Sequence, residues 1–154
     1  MQQVADIVGV AITLDVHSNS VLFVLLGSDG SINRKGDGSP KNSDRNLFIG
    51  RTLVPLLRNL LTHLTDDMLR HMVGYDIPDK VGDPCKLSIA LHFSDGSNNG
   101  FSFTYGSQSQ GPPTDIVNFV RAAVTLTDAW WQSQKALVAN APAATQRKRW
   151  WRIW

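Results

Sequence analysis

The side chains of this 154-residue chain that could do chemistry are four histidines, thirteen aspartates, one cysteine and a late run of arginines and tryptophans. His63, Asp67 and His71 stand at i, i+4 and i+8. On one unbroken helix they would stack on a single side, offering two imidazoles and a carboxylate of the kind that hold zinc or iron. Thr65-Asp66-Asp67 reads as a fresh helix start, however, which breaks that register, and no metal is assigned. Asp95-Gly96-Ser97-Asn98-Asn99-Gly100 matches the first half of a calcium-binding loop, but Gly106 stands where the bidentate glutamate belongs, so the stretch reads as a turn. Cys85 and His92 are the residue types of a nucleophile and base, yet on one strand their spacing holds them roughly 23 Å apart. His17 joined by a distant aspartate is the remaining way to assemble a catalytic pair.

No G-x-S-x-G elbow, phosphate-binding loop or G-x-G-x-x-G is present. All 13 acidic residues are aspartate, so chemistry that demands glutamate, such as the HExxH zinc proteases, is excluded. The sequence therefore assigns no catalytic residue, no metal and no cofactor, and favours a non-catalytic protein. A single cysteine also rules out an internal disulfide.

One stretch has an unusual physical character: Arg147, Lys148, Arg149, Trp150, Trp151, Arg152 and Trp154. The four cations leave residues 1–146 with 11 basic against 13 acidic side chains. Indoles and arginines together suit a membrane interface with anionic headgroups. They also anchor protein interfaces, stack on nucleic-acid bases, or pack back on their own fold or a sister subunit. A mildly acidic body repels phosphate, which places nucleic acid last. The tail is thus expected to bind a protein partner, a homo-oligomeric neighbour or a membrane surface. The Ala/Pro-containing residues preceding it read as a linker, giving a tail unit over 140–154.

The elements that must position these groups form a single domain over 1–139. Its clearest signal is the hairpin at 86–105. There Leu87, Ile89, Leu91 and Phe93, then Phe101, Phe103 and Tyr105, alternate with polar or small residues on either side of an Asp-Gly-Ser turn. Residues 8–16 alternate in the same way. The all-apolar run 21–26 predicts a central strand covered on both faces. Leucines at helical spacing predict a helix within 47–64, with Pro55 in its first turn or kinking it, followed by a short helix over 66–73 capped by Thr65. Thr114 caps a predicted long helix over 115–138 that covers the hairpin. The fold class is α+β: an antiparallel sheet of about five strands against two or three helices. Matching Asp-Gly-Ser turns at 29–31 and 95–97 suggest a duplicated ββα unit.

No apolar run approaches the roughly 20 residues of a spanning helix, and the N-terminus lacks a basic signal start, so a cytoplasmic setting is expected. The function class these features suggest is a protein-binding domain of the adaptor, chaperone or toxin-neutralising type. Its expected surfaces are the polar sheet face (Ser88, His92, Ser102, Thr104), the loop 35–46 and the tail.

Overall fold

A computed structural model describes residues 2–42 and 44–140. After a 3-10 turn at Val4–Asp6 the chain lays down β1 (Ile7–Val16), β2 (Asn19–Gly27), β3 (Ser31–Lys35) and β4 (Leu47–Arg51). Two six-residue helices follow, α1 (Leu56–Leu61) and α2 (Asp66–His71), then a two-residue strand β5 (Tyr75–Asp76). The hairpin β6 (Pro84–Phe93) and β7 (Asn98–Gly106) leads into α3 (Thr114–Ala139). The strands make one mixed sheet in the order β4-β3-β2-β1-β6-β7-β5, antiparallel throughout except where β5 runs parallel to β7.

Alternation decides which face is buried. Val10, Ile12, Leu22, Val24, Leu26, Ile32, Leu87, Ile89, Leu91 and Phe103 point to the helices and join Leu60, Leu69, Ile116, Phe119 and Ala123 in one core. Register makes this face continuous: Ile12 lies between Val24 and Ile89, and Leu87 opposes Phe103. β1 and β2 are joined through His17 and Ser18, both at positive φ (51° and 64°), the conformation that tight two-residue hairpins require.

The α+β class stands, with seven strands and three helices among the described residues. Two added strands, β4 and β5, make the difference. Residues 47–51 alternate and pair with β3 instead of joining a helix, and the helix is confined to Leu56–Leu61, starting directly after Pro55. Pro55 lacks the N–H that a helix interior would use, so it marks the start and cannot lie within. β5 is too short to show any period. The duplication is not supported. Both Asp-Gly-Ser turns close alike, with Asp29 and Asp95 each accepting from the serine N–H and hydroxyl two residues on. The surrounding elements differ: β2–β3 continues into β4 and a six-residue helix, whereas β6–β7 takes up β5 and leads to 26 residues of α3.

Thr65 caps α2 by accepting from the Met68 N–H at 3.0 Å. Thr114 is the first residue of α3 instead of its cap, and Pro113 holds the position before it. The long helix packs most closely on β2, β3 and α1, so the hairpin is not its main seat. Arg34 of β3 anchors it there. Its guanidinium is wholly buried, donating to the Val124 carbonyl, the Thr127 hydroxyl and Asp128 (2.8 Å), while its Nε reaches the Gly36 carbonyl. The same guanidinium lies 4.2 Å from the Trp131 ring centre, and the Lys135 ammonium lies 3.7 Å from it.

Candidate functional site: the uncovered sheet face

Among the described residues the helices occupy one side of the sheet and leave the other uncovered. β2 shows this directly. Phe23 and Leu25, expected to be covered, are only half-buried, because no helix among the described residues lies over their face. Register sets them in two rows that run across six strands. One row is Ile49, Asn33, Leu25, Ala11, Ala90, Gly100; the other is Leu47, Lys35, Phe23, Thr13, Ser88, Ser102. At about 4.8 Å per strand each row is about 24 Å long. Alanine, glycine, serine and threonine dominate the β1, β6 and β7 half, so relief there is low. In the β2–β4 half the larger side chains of Phe23, Leu25, Leu47 and Ile49 flank Asn33 and Lys35, so relief is higher.

Ser88, His92, Ser102 and Thr104 all lie on this uncovered face, as their alternation predicts. The Ser88 and Ser102 hydroxyls are 3.4 Å apart. His92 donates from Nδ1 to the Asn98 side-chain carbonyl, and its ring lies over Gly9, close enough that a Cβ there would touch it at 3.4 Å. Thr104 donates to Asp76, which also takes the Lys80 ammonium at 2.7 Å. The Lys80 and Thr104 hydrogen bonds hold the Asp76 carboxyl below the ordinary carboxylate range. The loop between β3 and β4 is stitched by its own short side chains, with Asp37, Asn42 and Asp44 each accepting an N–H two residues on.

The distant aspartate for His17 is Asp83, which accepts from its Nε2 at 2.8 Å, with both side chains more than half exposed. Cys85 is close by and donates its S–H to the Asp83 carbonyl. No hydrogen bond joins it to the imidazole among the described residues, and burial, then the Asp83 charge, push its thiol above the ordinary range. A thiol pushed up stays protonated at neutral pH and is a poor nucleophile. His92 lies at the opposite end of β6 from Cys85. His63 falls in the turn between α1 and α2, whereas His71 is held on α2 by the Asp67 carbonyl at 2.8 Å, so the three candidate ligands do not share one helix face.

A cavity of about 780 Å³, open to solvent, lies where the β2–β3 turn meets the chain from Thr52 to Thr62. Its walls are chiefly Val8, Leu26, Leu53, Val54, Leu57 and Leu61. Among the described residues Asp29 is the one carboxylate and Arg58 the one cation that line it, and no histidine does. Asp29 is committed to Ser31, whose hydroxyl and amide depress its pKa. Acid–base or nucleophilic chemistry has no matched pair of groups there.

Sequence reasoning found the hydroxyl-bearing half of the open face and missed the apolar half. Leu47 and Ile49 were absorbed into a leucine-rich helical pattern. Their two-residue alternation with Phe48 and Gly50 was the available signal. Arg147, Lys148, Arg149, Trp150, Trp151, Arg152 and Trp154 lie outside the described residues. No protein-family model matches the sequence, and comparison with curated proteins gives no match.

Proposed function

We propose that this chain is a non-catalytic binding domain whose uncovered sheet face receives another protein. The observation that carries this reading is the pair of side-chain rows across six strands, with Leu47, Ile49, Phe23 and Leu25 flanking Asn33 and Lys35 towards one end and hydroxyls around Ser88 and Ser102 at the other. A shallow surface of that breadth suits a macromolecule better than a small ligand, which prefers a concave site with convergent polar groups. Half-buried side chains at its centre and exposed apolar ones at the β4 border give it contact groups over its breadth.

Substitution at adjacent positions of opposite facing tests it. Ala11→Arg and Ala90→Arg add bulk and charge to the open face, where the expected stability change is within about 0.5–1 kcal/mol. Ile89→Arg, one residue away, forces a charge into the core and is expected to abolish folding. In affinity capture from source cells, one discrete protein should be retained by the wild-type chain and lost by both alanine variants. Capture indifferent to both substitutions would move the interface off this face.

A further inference from the structure

We propose that β4 is a self-association edge, at which a second copy of this chain adds its own β4 antiparallel across a two-fold axis at Ile49. The parity of the ladder supplies the first observation. Thr52 donates to the Gly30 carbonyl, so the hydrogen-bonded pairs of β3 and β4 are Gly50 with Ile32 and Phe48 with Arg34. Leu47, Ile49 and Arg51 therefore direct their N–H and C=O groups away from the sheet, and no partner takes them among the described residues. Few of the usual protections of an edge are present on this strand, Arg51 being its one charge. It has no proline, no lysine and no register break, whereas the other edge, β5, is two residues long and carries Asp76.

Exposed apolar side chains concentrate here. Of the nine exposed large hydrophobic residues among those described, Leu47 (48%), Ile49 (70%), Leu53 (105%) and Val54 (54%) fall within eight consecutive positions. Such a cluster beside free backbone groups marks a contact surface.

Self-complementarity is what selects a second copy over a foreign strand. With the axis at Ile49, the two Ile49 side chains meet on the open face. Leu47 lies opposite Arg51 of the partner subunit, and its methyls rest against that arginine's aliphatic stem. On the helix face Phe48 comes opposite Gly50 of the partner subunit; in each copy the Trp130 ring covers Gly50, so Phe48 meets an indole there and not free space. The axis holds the two Arg51 groups apart at opposite ends of the pairing, and each stays within 3.8 Å of its own Asp29. No like charges are opposed. The sheet then runs unbroken through both copies with their open faces on the same side.

Sedimentation velocity of the full chain over a concentration series is the test, with a monomer–dimer equilibrium expected. Ile49→Pro removes one outward N–H and leaves the β3 ladder intact, and it should weaken association by about tenfold or more. Val73→Lys, exposed but away from β4, should leave association unchanged. The axis also predicts a cross-link. Opposed hydrogen-bonded residues sit about 5.5 Å apart at Cα, within disulfide reach, so Ile49→Cys in a Cys85→Ser background should close to a covalent dimer on mild oxidation. A wild-type chain monomeric at every concentration overturns the proposal, as does a dimer indifferent to Ile49→Pro or an Ile49→Cys chain that fails to cross-link. Dimerisation that persists in Ala90→Arg after loss of its protein partner separates this edge from the open-face interface.

Discussion

Tyr105 illustrates how position alone changes a side chain's chemistry. It sits opposite Cys85 at the far end of the β6–β7 hairpin, and burial, with smaller contributions from Cys85 and Tyr75, raises its phenol to about 12. The charged form of a phenol is the deprotonated one, so a folded value above the unfolded value near 10 stabilises the fold below that pH. The contribution is lost as pH rises from about 10 to about 12. Burial raises Tyr75 in the same direction. Since these are the chain's two tyrosines, tyrosinate absorbance should develop well above pH 10 in the native protein. Tyr105→Phe should remove the higher step and flatten the alkaline loss of urea resistance. A titration centred at 10 in the folded chain would contradict the burial argument.

At the scale of elements, the join between β3 and α3 rests on Arg34. A buried guanidinium is costly unless its donors are met. Here three carbonyl or hydroxyl oxygens and one carboxylate take the Nε and Nη1 donors. Nη2 is buried without a hydrogen-bond partner among the described residues, and an indole face lies beside the group. Burial pulls the Arg34 pKa down, opposed by the hydrogen bond and charge of Asp128. Arg34→Ala should cost about 3–5 kcal/mol in urea unfolding. Arg34→Lys should recover little of it, because one ammonium cannot span the Gly36 carbonyl on one side and the Thr127 hydroxyl on the other. Lysine within about 0.5 kcal/mol of wild type would show the site to be ordinary packing. None of this was legible in the sequence, since Asp128 lies 94 positions away and nothing local marks Arg34 as buried. The hairpin was legible because strict alternation over both strands admits one period only. β4 was not, because Leu47 and the leucines after Pro55 share one composition while obeying two periods. The same limit hid the open side of β2: an unbroken apolar run carries no record of which face the helices take.

For the molecule as a whole, the arrangement β4-β3-β2-β1-β6-β7-β5 seats the first strand at the centre, with its neighbours drawn from both halves of the chain. Four strands pair locally as a meander, but the seam between β1 and β6 joins Ile12 to Ile89, 77 positions further along. Closing so long a loop before its contacts form is slow, and refolding by stopped flow should fall in the millisecond-to-second range typical of non-local sheets. A sub-millisecond phase carrying the whole amplitude would count against this seam as the limiting event. In the cell the delay is longer still. At about 5–20 residues per second, a ribosome takes roughly 4–15 s to supply β6 after β1 has emerged. Throughout that interval the nascent meander displays a bare central border and the greasy underside of four strands, so the window in which a chaperone would find this chain is written into its strand order.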